Sequence, residues 1–281
     1  MKLTFFGVRG STPCAAPSLQ RYGGNTSCVV AEVDESADPI IFDLGTGMRP
    51  FGQSIVGEKP FSGNVLLSHL HWDHVQGLPF FGPIDKPGAK LNIYGPTQDL
   101  GSLKNVFGGM MGPPYFPIRP EDLRGKIEFQ DLADEDFMLG DVRVRSRWLR
   151  HAGPTLGFRI EHQGLTVAYL SDHGPGMHPE DADDYVPRRV LELCDGVDVL
   201  IHDSQYTDEE YERRRHWGHS TVNYAVHVAS EAGVKRLVTF HHDPSHTDDE
   251  VDLLLRSASD VAERSGLHDV IAGYEGLILK L

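Results

Sequence analysis

Three cysteines in 281 residues are too few for a disulfide framework. Cys14, Cys28 and Cys194 show no close spacing, and an odd, scattered set argues for a reducing, cytoplasmic setting. Cys28 opens the apolar run Cys28–Ala31 and reads as a core residue, and none of the three is expected to be a nucleophile. No apolar run approaches the length of a membrane span. The first ten residues, Met1 to Gly10, hold too short an apolar core for a signal peptide and read as a first strand. Repeats, linkers and low-complexity segments are missing, so a single domain over residues 1–281 is expected.

Positive charge is scarce. Lys and Arg number 26 against 41 Asp and Glu, a formal charge of −15 that repels long polyanions such as RNA. Arg143, Arg145, Arg147 and Arg150 form a local basic set, which alternation along a solvated edge strand would explain. The glycines of Asp43-Leu44-Gly45-Thr46-Gly47 fit neither the Walker nor the dinucleotide spacing. That turn reads as structural, with Asp43 bracing a neighbouring loop by hydrogen bonds.

Histidine is abundant, at fifteen residues. The densest stretch is Ser68-His69-Leu70-His71-Trp72-Asp73-His74, directly after the apolar run Asn64–Leu67. A buried strand there would deliver His69 and His71 to one side, since residues two apart in an extended segment point the same way. Asp73 and His74 would lie on the following turn. Four ligand-type side chains packed this closely would be costly to bury unpaired, whereas zinc and similar metals take imidazole nitrogen and carboxylate oxygen. Further candidates also end strand-like runs: His151 after Val144–Arg150, Asp172 after Val167–Ser171, and His241 or His242 after Leu237–Phe240.

Strands dominate the reading. They are expected at Leu3–Gly7, Cys28–Val33, Ile40–Leu44, Leu91–Tyr94, Val142–Leu149, Gly157–Glu161, Leu165–Leu170, Val197–Ile201, Lys235–Phe240 and Leu277–Leu281. Helices are expected late: one through Val222, Ala225, Val226 and Ala229 to Gly233, another from the capping box Thr247–Glu250 to Gly266. Two sheets inside and helices outside would accommodate this order. Prolines keep Met110–Pro117 out of a regular helix; its aromatics and methionines would either wall a site or pack onto the body.

His-x-His-x-Asp-His resembles the signature of metallo-β-lactamase fold hydrolases. Gly7-Val8-Arg9-Gly10-Ser11-Thr12-Pro13, Gly24-Asn25-Thr26-Ser27, Ser171-Asp172, Leu200-Ile201-His202-Asp203 and Gly218-His219-Ser220-Thr221 extend the likeness over nearly the whole chain. They are similar to the branch holding ribonuclease Z and PhnP-type phosphodiesterases. The resemblance implies an α/β fold, a four-layer αββα sandwich, with a dinuclear metal centre. The ions would be zinc, with manganese and ferrous iron as alternatives. His69, His71 and His151 would hold one ion; Asp73, His74 and His241 the other; Asp172 would bridge. The family pattern selects the first residue of the His241-His242 pair. Besides holding metal, Asp73 would act in catalysis around a hydroxide shared by the ions. His219 would donate a proton to the leaving oxygen, held by Asp203, where the family more often carries Glu. His202 would bond locally. No role follows for His173.

Ribonuclease Z carries a tRNA-gripping arm between the motifs matching His151 and Asp172; twenty residues separate them here, which leaves no room for one. The expected activity is therefore phosphodiester hydrolysis on a small anionic substrate, a cyclic nucleotide or cyclic phosphate, with neither tRNA nor membrane as partner. A homodimer would follow the fold's habit. Thioester, lactone or β-lactam hydrolysis is the alternative chemistry, and a non-catalytic metal-binding sensor the alternative class.

Overall fold

The computed structural model describes residues 1–34, 37–176 and 185–281. Two seven-stranded sheets form the interior. The first runs β14-β1-β2-β3-β4-β5-β6, built from Ile278–Lys280, Lys2–Gly7, Cys28–Glu32, Ile40–Phe42, Ser62–Leu66, Lys90–Pro96 and Lys126–Leu132 in that order. The second runs β13-β12-β11-β10-β9-β8-β7, from Val270–Ala272, Arg236–Phe240, Val199–Asp203, Leu165–Leu170, Leu156–His162, Val142–Trp148 and Glu135–Leu139.

Period-two alternation assigns the layers. Leu3, Phe5, Val29 and Phe42 of the first sheet meet Val144, Phe158, Val167, Tyr169, Ile201 and Phe240 of the second in one buried core. The opposite faces carry helices. Ala168, Leu170, Leu200 and Leu237 pack against α4 (Arg188–Cys194), α6 (Val222–Glu231) and α7 (Asp248–Arg264). Cys28, Val30, Ile41 and Val65 pack with Met48 and Phe51 of α1 (Met48–Ser54) and Phe107 of α3 (Leu103–Met110). The result is a four-layer αββα sandwich. β10, β11 and β12 are parallel neighbours covered on both faces, which is why their sequences read as nearly unbroken apolar runs.

Helices are not confined to the late chain: α1, the short α2 (Trp72–Val75) and α3 all fall in its first half. The arginines of β8 do not lie on an edge, since β7 covers that side of the strand. Arg143 and Arg147 pair with Asp136 of β7, and Arg145 with Glu161 of β9, so this basic set is largely neutralised. Among the described residues, no helix is long and apolar enough to cross a membrane.

Strand register sets up the site. Leu170 pairs with His202, and Asp203 with Phe240, so the carboxyl ends of β10, β11 and β12 reach the same edge of the sandwich. The loop after β4 arrives there from the other sheet.

Candidate metal centre

Each candidate side chain stands where an element stops. His69 and His71 lie in the loop after β4, and Asp73 and His74 on α2. His151 follows β8, Asp172 follows β10, and His241 follows β12. His69, His74, His151, Asp172 and His241 are buried, as is Asp73, while the His71 ring stands at the mouth of the cleft. Two groups carry the expected ligands, His69, His71, His151 and Asp172, and Asp73, His74 and His241, and a third, Asp172, His219 and His241, overlaps both, with ligand atoms within 4.8 Å of one another in each.

Asp172 divides its oxygens between the groups. Oδ2 lies 3.6 Å from His69 Nε2 and 3.5 Å from His151 Nε2. Oδ1 lies 3.1 Å from His74 Nε2 and 3.4 Å from His241 Nε2. His151 Nε2 is 3.2 Å from His71 Nδ1. Asp73 Oδ2 is 3.0 Å from His241 Nε2 and 3.1 Å from His74 Nε2.

The far nitrogen of four rings is fixed. Nδ1–H of His74 donates to Asp43 Oδ2 (2.7 Å), that of His151 to the Gly218 carbonyl (2.9 Å), and that of His241 to Gln205 Oε1 (2.8 Å). His69 Nδ1–H donates to Ser68 Oγ (3.0 Å), whose own proton goes to Asp43 Oδ2 (2.9 Å). Nε2 of each ring is thereby left as a lone pair facing inward. The Nε2 atoms of His74 and His241 then confront each other at 3.3 Å, and buried His69 Nε2 and Asp172 Oδ1 have no hydrogen-bond partner. Acceptors crowded together without protons between them repel unless cations lie among them.

The spacing fits such ions. Four ligands about 2.0–2.1 Å from a tetrahedral zinc are separated by roughly 3.3–3.4 Å. The distances above run from 3.2 to 3.6 Å in the first group and from 3.0 to 3.4 Å in the second. The site's residues thus fit divalent metal ions, and the second nitrogen of each anchored ring is held as metal-binding histidines require.

Without metal, protons take the place of the ions. Burial opposes charge on His241, but Asp172 and Asp73 carry its pKa up to about 9. Burial likewise opposes charge on His74, which Asp172, Asp73 and Asp43 raise well above the usual range. Burial pushes His151 down to about 4 and His69 well below the ordinary value. Asp73 and Asp172 are held well below the carboxylate range by neighbouring imidazoles, against the effect of burial.

Asp43 braces the centre as its sequence position suggested. Its carboxylate also accepts from Ser68 N–H (2.7 Å) and Tyr169 O–H (2.7 Å). Among the described residues four non-glycines have positive φ, and three of them, Ser11, Asp43 and His241, touch this site. Left-handed backbone costs about 1–3 kcal/mol per residue and persists where surroundings enforce it. Ser11 uses it to aim its N–H at Asp73 Oδ2 (2.7 Å). Gln205 and Tyr169 carry no local signal in the sequence, being single polar side chains far along the chain from the residues they hold.

His219 Nδ1–H donates to Asp203 Oδ2 at 2.8 Å, and lies 3.7 Å from Asp172 Oδ2. Asp203 is itself held, its Oδ1 accepting from Gln205 N–H (3.0 Å) and its carbonyl from Ser220 O–H (2.6 Å). His202 Nδ1–H bonds the Asp203 carbonyl, and His202 Nε2 lies 3.0 Å from His173 Nδ1. His242 turns away, its Nε2–H donating to the Gly273 carbonyl at 2.9 Å. Ser11, His71, Asp73, Asp172, Trp217 and His219 line a cleft of about 580 Å³.

Comparison with known proteins agrees with the fold. The family model described as Beta-lactamase superfamily domain matches residues 51–242. Ribonuclease Z of Haloarcula marismortui is 25% identical, over 86% of this chain and 86% of its own length. The metallo-beta-lactamase fold protein YhfI from Bacillus subtilis superposes with a TM-score of 0.73 at 19% identity, covering 99% of both chains. A diphosphatase from the PhnP family superposes with a TM-score of 0.70 at 18% identity, covering 100% of this chain and 97% of that one.

Proposed function

This chain belongs to the beta-lactamase superfamily, and from that premise we propose that it is a dinuclear, metal-dependent phosphodiesterase acting on a small substrate, a cyclic nucleotide or cyclic phosphate. The observation that carries the reading is the Asp203–His219 pair beside the metal-ligand cluster. A phosphodiester has a poor leaving group, and a positioned acid is what its departure needs.

His69, His71 and His151 would hold one ion, Asp73, His74 and His241 the other, with one oxygen of Asp172 toward each. The imidazole-rich set favours zinc; iron would be better served by a carboxylate in place of His71. Ions held there would supply Lewis acidity toward a phosphoryl oxygen and lower the pKa of a coordinated water. Asp203 fixes the His219 tautomer by taking Nδ1–H, so that Nε2 is the atom that carries a proton to the departing oxygen. Ser11 N–H and Gln205 keep Asp73 and His241 in place while the anionic substrate settles.

The short connection from His151 to Asp172 supports a small substrate. It is filled by β9, β10 and the turn between them, which leaves no segment for an arm that grips tRNA. We take residues 1–281 as one cytoplasmic domain. The test is a panel of 2′,3′- and 3′,5′-cyclic nucleotides, cyclic sugar phosphates, a tRNA precursor, a lactone, a thioester and a β-lactam, offered to zinc-loaded protein. Turnover of cyclic phosphodiesters, lost in His219→Ala, is expected. Lactone or thioester turnover alone, unaffected by His219→Ala, would refute the proposal.

A further inference from the structure

The two faces of α2 have different surroundings. Asp73 and His74 point into the metal cluster and are buried. Trp72 and Gln76, four residues apart and so on one helical face, point the other way. They line a second cavity, of about 560 Å³, with Phe80, Met110, Tyr115 and Phe116. Phe80 meets Phe116 edge to face, ring centroids 5.9 Å apart. Trp72 also lines the metal cleft, so the two spaces share a wall.

Single exposed apolar residues need no explanation, but clusters do. Trp72 is 72% exposed, Phe80 62% and Tyr115 78%, and all three line this one cavity. The cavity size falls in the range of small-molecule sites, about 300–1,000 Å³. No charged side chain lines it. Four aromatic rings offer faces and edges, and the Gln76 amide offers one donor and one acceptor position. An alkyl chain would leave that amide unused and gain nothing from ring stacking.

We infer that this cavity is a subsite for an uncharged planar aromatic group, such as a nucleobase, carried by a substrate whose phosphoryl group lies at the metal centre. The Met110–Pro117 loop is then one of its walls. The assignment of a phosphoryl group to the centre rests on the proposed phosphodiesterase activity; the aromatic preference does not.

Binding separates the two. Phenyl phosphate, cyclohexyl phosphate and methyl phosphate are titrated calorimetrically into zinc-loaded protein, and into Tyr115→Ala and Phe80→Ala. Phenyl phosphate is expected to bind about tenfold or more tightly than methyl phosphate, with cyclohexyl phosphate between, and each variant to remove most of that difference. Equal binding of the three esters, or a preference that both variants retain, would overturn the subsite. The same holds if sedimentation shows a dimer that Tyr115→Ala dissociates while the esters bind alike: the aromatic patch would then be a subunit contact. A preserved phenyl preference in a protein that hydrolyses no phosphodiester would leave the subsite standing and refute the proposed function instead.

Discussion

Asp43 touches no substrate, yet the account makes it decisive. Its carboxylate accepts from Ser68 N–H through Oδ1, and from Ser68 O–H, His74 Nδ1–H and Tyr169 O–H through Oδ2, at 2.7 to 2.9 Å. Asp43→Asn keeps the shape and removes acceptors. With the amide nitrogen at the Oδ2 position, these three buried donors lose their acceptor, as does Ser171 O–H at 3.4 Å. Turned the other way, only Ser68 N–H does, and this is the cheaper arrangement. One buried unpaired donor costs about 1–3 kcal/mol, and the remaining bonds weaken without the charge by roughly 1 kcal/mol each. The lower desolvation cost of an amide offsets part of this. The net expectation is a loss of about 2–4 kcal/mol, seen as a lower urea midpoint for the metal-free protein. The His74 ring also loses its charged anchor, and disturbing such a partner costs about 10- to 100-fold in metal affinity. Competition with a chromophoric chelator measures that directly. Affinity within about threefold of wild type would show that His74 is not held by Asp43 and would refute the reasoning.

Other consequences are as testable. His219→Ala should lower kcat on an alkyl-leaving phosphodiester by about 10²–10⁴-fold, with metal content unchanged, and by far less on a nitrophenyl ester whose leaving group needs no proton; steady-state kinetics on the pair decides it. Metal-free protein should lose stability as pH rises from about 6.5 toward 8.5. His74 and His241 have folded pKa values above their unfolded ones, so their contribution is full below the unfolded pKa and fades as pH approaches about 9. Urea unfolding across that window, with a shallower loss in His241→Gln than in wild type because only His74 still contributes, is the check. Gly10→Ala would place a Cβ against the His241 ring and Gln205 Oε1, and should weaken metal binding in a chelator titration without altering the far-ultraviolet spectrum. Arg9 is fully buried and donates to the carbonyls of Gly23, Asp243 and His246 at 2.8 to 3.1 Å while facing Asp248. Arg9→Met should cost about 3–5 kcal/mol in urea unfolding, because it leaves those three buried carbonyls without their donor, while Asp248 keeps the N–H groups of Arg21 and Tyr22.

What could be read in the sequence was what leaves a local pattern. Leu165–Leu170 and Arg236–Phe240 are buried on both faces, and their apolar runs named them as strands. The ligand candidates were visible because each terminates such a run. Other elements carry no such mark. β6 and β7 are exposed along much of their length, with charges between half-buried apolar residues, and β13 has only three residues. Pro50 and Gly52 disguise α1, a Gly-Gly pair weakens α3, and α5 (Asp208–Arg214) buries no residue, so no period appears in it. The supporting shell was the least legible. Tyr169 and Asp43 are 126 positions apart, and His241 and Gln205 36, so only folding reveals that they meet. The arginines of β8 misled for a related reason: the acidic partner on β7 belongs to a strand that the pattern did not show.

The central claim is that seven side chains hold two ions with Asp172 between them. Anomalous scattering at the zinc absorption edge from crystals of zinc-loaded protein tests it most directly. The account predicts two peaks per chain, one among His69, His71 and His151 and one among Asp73, His74 and His241, each with one Asp172 oxygen at about 2.0–2.2 Å. A single peak, or a pair in which Asp172 contacts neither ion, would contradict it.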